Sequence, residues 1–175
     1  MKRVVKFHLF QICSKLFNGI EKFSKGKIKP HINKDVPPVT QRHRRVLFHL
    51  RKKFEDQLDK LLQEDIIEVA EGPTPWVSPI VIVPKPKDPE SIRMCVDMRS
   101  ANKAPERERH ITPTMDEIIV KLNGAKIFSK LDLNQGYHQI EINEESRYIT
   151  TFSTHKGLFG YKRLNFGIAS AAEVF

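Results

Sequence analysis

The stretch from Ile127 to Gln139 constrains the fold most. Ile127, Leu131 and Leu133 fall on one face of an alternating run, which is the pattern of a buried strand. Asp132 stands at the end of this run, and the next residues, Asn134-Gln135-Gly136, are types that stop strands and turn the chain. The sequence therefore predicts a central strand that carries one carboxylate to the mouth of a cleft.

A structural role for Asp132 is the competing interpretation. An Asp that leaves an apolar strand often forms a turn or caps the next helix. One carboxylate is also a poor metal site, because hard divalent cations take several oxygen ligands. The residues alone leave both interpretations open and favour the structural one.

A long helix is predicted from about residue 42 to residue 65. Apolar residues recur there at spacings of three and four, namely Leu47, Leu50, Phe54, Leu58, Leu61 and Leu62. The helix would open with a basic quartet whose arginines are Arg42, Arg44 and Arg45. Such a run fits a nuclear-localisation or phosphate-binding patch and equally a solvated helix start.

Two strands, residues 79–84 and 92–97, are predicted to form a β-hairpin with Lys85 and Lys87 near its tip. Cations on a hairpin that faces an acidic metal site would suit a triphosphate, although ordinary surface lysines give the same pattern. Cys95, inside the second strand, is predicted to be a small buried hydrophobe.

The second half of the chain predicts a capped helix and another hairpin. Thr114 and Glu117 form a capping-box pattern, with Ile118, Ile119 and Leu122 expected to face inward and Gly124 to end the helix. Residues 139–142 alternate like a strand. Residues 148–153 and 158–164 are predicted to pair across a turn at residues 154–157.

Charge is concentrated in the N-terminal third. Residues 1–53 carry 15 Lys and Arg against 2 acids, whereas residues 54–175 carry 15 against 19, which together give the net charge of +9. A basic arm suits nucleic-acid phosphates, and a solvated linker explains it as well. Two distant cysteines, Cys13 and Cys95, and the lack of a long apolar run favour an intracellular protein, in cytoplasm or nucleus, without a membrane partner.

Several motifs occur in an order typical of one family. They are PTPWVSPIVIVPKPKD, RMCVDMRSANKA, FSKLDLNQGYHQI and TTFSTHKGLFGYKRLNFGIASAAEVF. Together they resemble the reverse transcriptase domain of gypsy-type LTR retrotransposon Pol polyproteins, from about Lys29 to Phe175. The resemblance implies an α/β (α+β) fold that is a partial right-hand polymerase, with a basic linker at 1–40, fingers at 41–103 and an incomplete palm at 104–175.

The same resemblance implies an RNA-directed DNA polymerase that uses dNTPs, an RNA or DNA template-primer and Mg²⁺. The rest of the Pol polyprotein, with protease, RNase H and integrase, would be its covalent partner. Asp132 would be the catalytic metal ligand, and Leu133 would add its backbone carbonyl. The implied nucleotide-binding residues are Arg93, Lys85 or Lys87 for the triphosphate, and Gln135, Gly136, Tyr137 and Phe166 for the rest of the nucleotide.

The sequence departs from the family pattern at three places. Asn165 stands where many relatives have Pro, and Asp97-Met98-Arg99 lacks the usual aromatic, so Asp97 and Arg99 are expected to make structural polar contacts. The family also takes two carboxylates from an aromatic-x-Asp-Asp hairpin. No such pair occurs here, and Glu144-Glu145 matches no family motif.

We therefore expect the chain to be inactive alone, with residues 127–132 and 158–164 left as bare strands where the hairpin would pair. Two alternatives remain. One is a non-enzymatic nucleic-acid-binding remnant of a retroelement, and the other is a gene fragment without a stable product. The sequence leaves the oligomeric state undetermined.

Overall fold

The computed structural model describes residues 19–24, 26–86, 88–107, 113–130 and 132–175. Cys13, Lys87 and Leu131 lie outside these ranges. Among the described residues, no helix combines the length and the apolar character needed to cross a bilayer.

A five-stranded mixed sheet forms the centre of the structure. Its strands lie side by side in the order β1-β5-β4-β2-β3. Only β2 and β4 run parallel among the described pairs, through Ser78 opposite Phe152 and Pro79 opposite Ser153. The strands are β1 (Ile67–Val69), β2 (Ser78–Lys85), β3 (Asp88–Val96), β4 (Phe152–Thr154) and β5 (Gly157–Tyr161). The fold is therefore mixed α/β, as the sequence predicted.

Both predicted hairpins are present. β2 pairs with β3, and the register shifts between Pro84 and Lys85, where proline has no N–H to donate. β4 pairs with β5 across His155 and Lys156. Cys95 is exposed, so its predicted burial is wrong, because β3 is at the edge of the sheet and has a solvent-facing side.

Two strand predictions next to the second hairpin are wrong. Residues Glu144–Thr150 form a 3-10 helix, and Asn143 starts it by accepting a hydrogen bond from the Glu145 backbone N–H at 3.0 Å. Residues Gly136–Gln139 form another 3-10 helix, followed by single bridges from Glu141 to Arg163 and from Ile142 to Ile28. Strand alternation there reflects which side chains are buried rather than a continuous strand.

Helix α1 spans Arg51–Gln63 and follows a 3-10 turn at Phe48–Leu50. Its apolar face is the predicted one, with Phe54 and Leu58 fully buried against the sheet. The predicted start near Arg42 is wrong. Thr40 bridges to Val77, and the Arg44 guanidinium reaches the Asp97 carboxylate at 2.7 Å, so these contacts hold the chain before Phe48 outside the helix.

Helix α2 spans Met115–Leu122, and a short helix α3 spans Ala171–Val174. The capping box of α2 is confirmed, with the Glu117 N–H donating to Thr114 Oγ1 and the Thr114 N–H donating to Glu117 Oε2. The inward orientation predicted for Ile118, Ile119 and Leu122 is wrong. None of the eight residues of α2, all of them described, is buried.

The predicted buried strand before Asp132 is also wrong. The described residues 127–130 and 132–133 form no strand, and Ile127 and Phe128 are 88% and 65% exposed. A strand needs a neighbour to satisfy its backbone groups, and none of the described strands lies beside this segment. The bare edge predicted for residues 158–164 is wrong as well, because β5 lies between β1 and β4.

The core sits between α1 and the sheet and includes Phe152, Phe159 and Tyr161, whose rings pack on one another. The N-terminal segment is tied to this body. Ile28, Ile32 and Thr40 form bridges to Ile142, Pro105 and Val77. Lys22, Lys27 and Lys29 pair with Asp65 and Glu141, with Glu144 and with Glu145, respectively. Much of the basic charge of residues 19–29 is thus neutralised internally.

Candidate active site

The turn at residues 132–137 is held by its own side chains. Gln135 adopts a left-handed conformation with φ of 48°, and its Oε1 lies 2.8 Å from Nδ1 of His138. Gln139 donates through Nε2 to the Asn134 carbonyl at 3.0 Å. The predicted turn chemistry is therefore present, and it fixes where Asp132 leaves the chain.

An open cleft of about 310 Å³ lies against this turn. Of the residues that the sequence assigned to a metal and nucleotide site, five converge here. They are Asp132, Leu133, Gly136, Tyr137 and Phe166. Asp132 and Leu133 are exposed at its rim, so a ligand in the cleft could reach the carboxylate from solvent.

Tyr137 forms the aromatic part of the cleft. Its ring meets Phe166 edge-on with centroids 4.7 Å apart, and Phe175 edge-on at 5.1 Å. A Cβ at Gly136 would lie 2.9 Å from the Phe175 ring, so glycine permits this close approach. Sequence reasoning missed Phe175, since an apolar residue in a predicted helix gives no signal of a cleft.

A second cleft, of about 600 Å³, lies between α1 and the first hairpin. Lys85, Arg93 and Gln135 line it, together with further charged residues of α1: Lys53, Asp56, Lys60 and Glu64. The turn at 132–137 thus contributes Gln135 to one cleft and its neighbours to the other. Lys87 lies outside the described residues.

Asn102 is a further residue that sequence reasoning missed. Its Nδ2 donates to the Gly167 carbonyl at 2.6 Å, and its Oδ1 accepts from the Ala169 N–H at 2.9 Å. These bonds hold the turn that follows Phe166. Asn165 is buried and donates to the Phe166 carbonyl at 3.2 Å, so a side-chain contact accompanies the residue that replaces the more usual proline.

Arg163 supports the turn from beneath. It is buried, and its guanidinium donates to the carbonyls of His138, Glu64 and Asp65 at 3.0–3.1 Å. Burial, together with the charge of Arg163, lowers the pKa of His138 to about 4, so His138 is neutral near pH 7. His138 is therefore a packed partner of Gln135.

The basic quartet divides into two kinds of residue. Arg44 and Arg99 both bind the Asp97 carboxylate, and these hydrogen bonds, those of Arg99 foremost, hold the pKa of Asp97 well below its usual range. The structural contacts expected of Asp97 and Arg99 are therefore present. Arg42 and Arg45 are exposed and make no salt bridge within the described part of the chain.

The metal-ligand set at the first cleft is small. Of the described residues that line it, Asp132 is the sole carboxylate. Within the described ranges, no group of three or more His, Cys, Asp or Glu comes together in a way that could hold a metal ion.

Comparison with protein families decides the affiliation. A family described as reverse transcriptase (RNA-dependent DNA polymerase) matches residues 83–175, more than half of the chain. The chain belongs to the reverse transcriptase family. Reverse transcriptases generally use Mg²⁺.

Two curated relatives are retrovirus-related Pol polyproteins of Drosophila melanogaster. The one from transposon 412 is 36% identical over 146 residues, which cover 81% of this chain and 12% of that protein. The one from transposon gypsy is 32% identical over 146 residues, which cover 81% of this chain and 14% of that protein. The chain thus spans about one eighth of the length of these relatives.

Solved reverse transcriptases share the fold. The prototype foamy virus protease-reverse transcriptase superposes with a TM-score of 0.80 at 21% identity, over 97% of this chain and 23% of that one. Foamy viral protease-reverse transcriptases in complex with dsDNA and with an RNA/DNA hybrid give TM-scores of 0.75 and 0.71 at 21% and 20% identity. They cover 95% and 96% of this chain and 33% and 24% of those.

Proposed function

We propose that this chain is the fingers and the first part of the palm of an RNA-directed DNA polymerase, which makes DNA from dNTPs on an RNA or DNA template. The observation that carries the proposal is the cleft where Asp132, Gly136, Tyr137 and Phe166 converge. Residues separated by more than 30 positions in sequence meet there, as a site built for one ligand requires.

Asp132 would be the catalytic metal ligand, with the Leu133 carbonyl beside it. Template-directed nucleotidyl transfer by two metal ions, which clamp the attacking and leaving oxygens, is the chemistry that Mg²⁺ would supply. Two such ions bring four positive charges, whereas Asp132 brings one negative charge, and the described residues gather no further carboxylate there. The residues of this chain alone therefore do not fit a two-ion centre.

Tyr137 would lie under the nucleotide sugar. Its ring is held edge-on by Phe166 and Phe175, which supports a rigid floor to the cleft. In an active polymerase that contains this chain, Tyr137→Ala should raise the use of ribonucleotides relative to deoxyribonucleotides, because space opens for a 2′-hydroxyl. Unchanged sugar discrimination in an otherwise active variant would return Tyr137 to a packing role.

Gln135 and the second cleft would bring the nucleotide and its triphosphate together. Lys85 and Arg93 line that cleft beside Gln135, so cations stand next to the turn that carries Asp132. Neutralisation of triphosphate charge from the side opposite the metals is the recurring requirement of phosphoryl transfer. Lys87 keeps the same proposed role, without a structural description.

The 175-residue chain alone should not extend a primer. With a single carboxylate at the cleft, the charge that develops on the transferred phosphoryl group goes unneutralised, and this electrostatic contribution is usually the largest in catalysis. The test is primer extension with Mg²⁺ or Mn²⁺, run beside Asp132→Asn. Extension by the wild-type chain that Asp132→Asn abolishes would overturn the inactivity. Extension that survives Asp132→Asn would indicate a contaminating polymerase.

Nucleic-acid binding without catalysis is the second candidate function. It is favoured by Arg42 and Arg45, which are exposed and free of salt bridges in the described ranges. Deletion of residues 1–53 is a poor test, because it would remove the core residues Val46 and Leu50. The double variant Arg42→Gln, Arg45→Gln should instead reduce the salt dependence of duplex binding by about 0.9 log units per lost phosphate contact.

A further inference from the structure

An aromatic ring stands almost fully in solvent at the start of α1. Phe48 is 86% exposed, and Leu47 beside it is 61% exposed. Most large apolar side chains of α1 and its leading turn face the core, so these two depart from the pattern of their own element. Exposed apolar surface with a polar rim is a common mark of an interaction site.

Cations surround this ring. The Arg51 guanidinium carbon lies 5.9 Å from the centroid of the Phe48 ring, within cation–π range. Lys52 follows one helical turn after Phe48, and Arg45 precedes Phe48 by three residues. Lys52 and Arg45 are exposed and make no salt bridge within the described ranges, whereas Arg44 is occupied by Asp97.

We infer that Phe48 is a stacking platform for an unpaired base of single-stranded RNA or DNA, with Arg45, Arg51 and Lys52 on the flanking phosphates. Bases in a duplex are already stacked on one another, so an unpaired base alone offers a free face to the ring. The inference rests on the proposed function insofar as both require nucleic acid, and it adds a residue and a preference for single strands.

A membrane surface fits this patch less well. An interfacial helix needs a continuous apolar face, and the remaining apolar residues of α1, such as Phe54 and Leu58, are buried in the core. The groove beside Leu47, lined also by Arg45 and Ile80, measures only about 60 Å³, room for a few water molecules. A base would therefore lie on the Phe48 ring and not inside a pocket.

The test compares binding of a labelled single-stranded oligonucleotide of about 12 nucleotides with that of a duplex of the same length, by fluorescence anisotropy. In the full chain, Phe48→Ala should weaken single-strand binding about tenfold and duplex binding less than about twofold. Phe48→Trp should retain the single-strand affinity and Phe48→Leu should lose it, because stacking requires a π face. Leu47→Ala is the matched control and should change neither affinity.

Three results would overturn the inference. They are an unchanged single-strand affinity in Phe48→Ala, an equal loss for single strand and duplex, or full recovery by Phe48→Leu. Recovery by Phe48→Leu together with binding to phosphatidylserine vesicles would assign the patch to a membrane. A wild-type chain that binds neither oligonucleotide would refute nucleic-acid binding as a whole, whereas wild-type-like binding by Phe48→Ala would refute only this inference.

Discussion

Helices α1 and α2 are held by different forces. α1 lacks a side-chain cap at its N-terminus, yet it buries Phe54, Leu58 and Leu61 against the sheet. α2 has a complete capping box, and none of its residues, all described, is buried. Burial of an apolar face stabilises the first helix, whereas local hydrogen bonds define the second. An amphipathic sequence therefore predicts a helix more safely than it predicts what the helix packs against.

The largest expected effect follows from the buried face of α1. Phe54→Ala should lower the free energy of unfolding by about 3–5 kcal/mol, because it removes a fully buried ring and leaves a cavity. Ile119→Ala, at a residue 58% exposed in α2, should cost less than about 0.5 kcal/mol. Urea unfolding of both variants measures the difference. A comparable cost for Ile119→Ala would mean that this face of α2 is covered in solution.

The cap of α2 should give a smaller and local effect. Thr114→Ala removes the acceptor of the Glu117 N–H and should destabilise the helix by about 1 kcal/mol. Amide exchange over residues 117–122 should accelerate, while the urea midpoint of the whole chain stays unchanged, since α2 buries no described residue. Ser100→Ala is the matched control, because Ser100 makes no capping bond to its 3-10 turn. A shifted global midpoint in Thr114→Ala would show that α2 folds together with the core.

The smallest effect concerns Asp65, just after α1. Hydrogen bonds from Lys162 and then Lys22 lower the pKa of Asp65 to about 2. A depressed carboxylate pKa contributes stability above its unfolded value near 4, and this stability is lost as pH falls from about 4 to 2. Because the Asp65 side chain is 41% exposed, we expect less than about 1 kcal/mol, reduced further by salt.

The variant Asp65→Asn tests this contribution. It should flatten the fall in stability between pH 4 and pH 2 compared with the wild-type chain, as measured by urea unfolding at low salt. Lys22→Met should flatten the same fall only in part, because Lys162 still binds the carboxylate. An identical pH dependence in the wild-type chain and Asp65→Asn would contradict the role of these lysines.

The sequence predicted the parts of the molecule that local chemistry sets. The Asn-Gln-Gly turn after Asp132, the capping box at Thr114 and both hairpins depend on residues a few positions apart, and all are present. Five of the assigned site residues also line one cleft, although their chemical roles remain predictions.

The errors occurred where distant contacts decide the structure. The contact of Arg44 with Asp97 keeps the segment before α1 outside the helix, and no periodicity in sequence could reveal it. The segment around Ile127 has the pattern of a strand, yet a strand forms only beside a partner. Asn102 and Phe175 were missed because their contacts with Gly167 and Gly136 span 65 and 39 residues.

The order of strands in the sheet has a consequence for biosynthesis. β2 can pair with β3 as soon as both leave the ribosome, but its other neighbour, β4, begins 74 residues after β2 begins, at Phe152. At a synthesis rate of 5–20 residues per second, the open side of β2 waits roughly 4–15 s for its partner. β1 waits still longer for β5. During that interval the nascent chain presents unpaired strand edges, so it is then most open to chaperones and to misassociation with neighbouring chains.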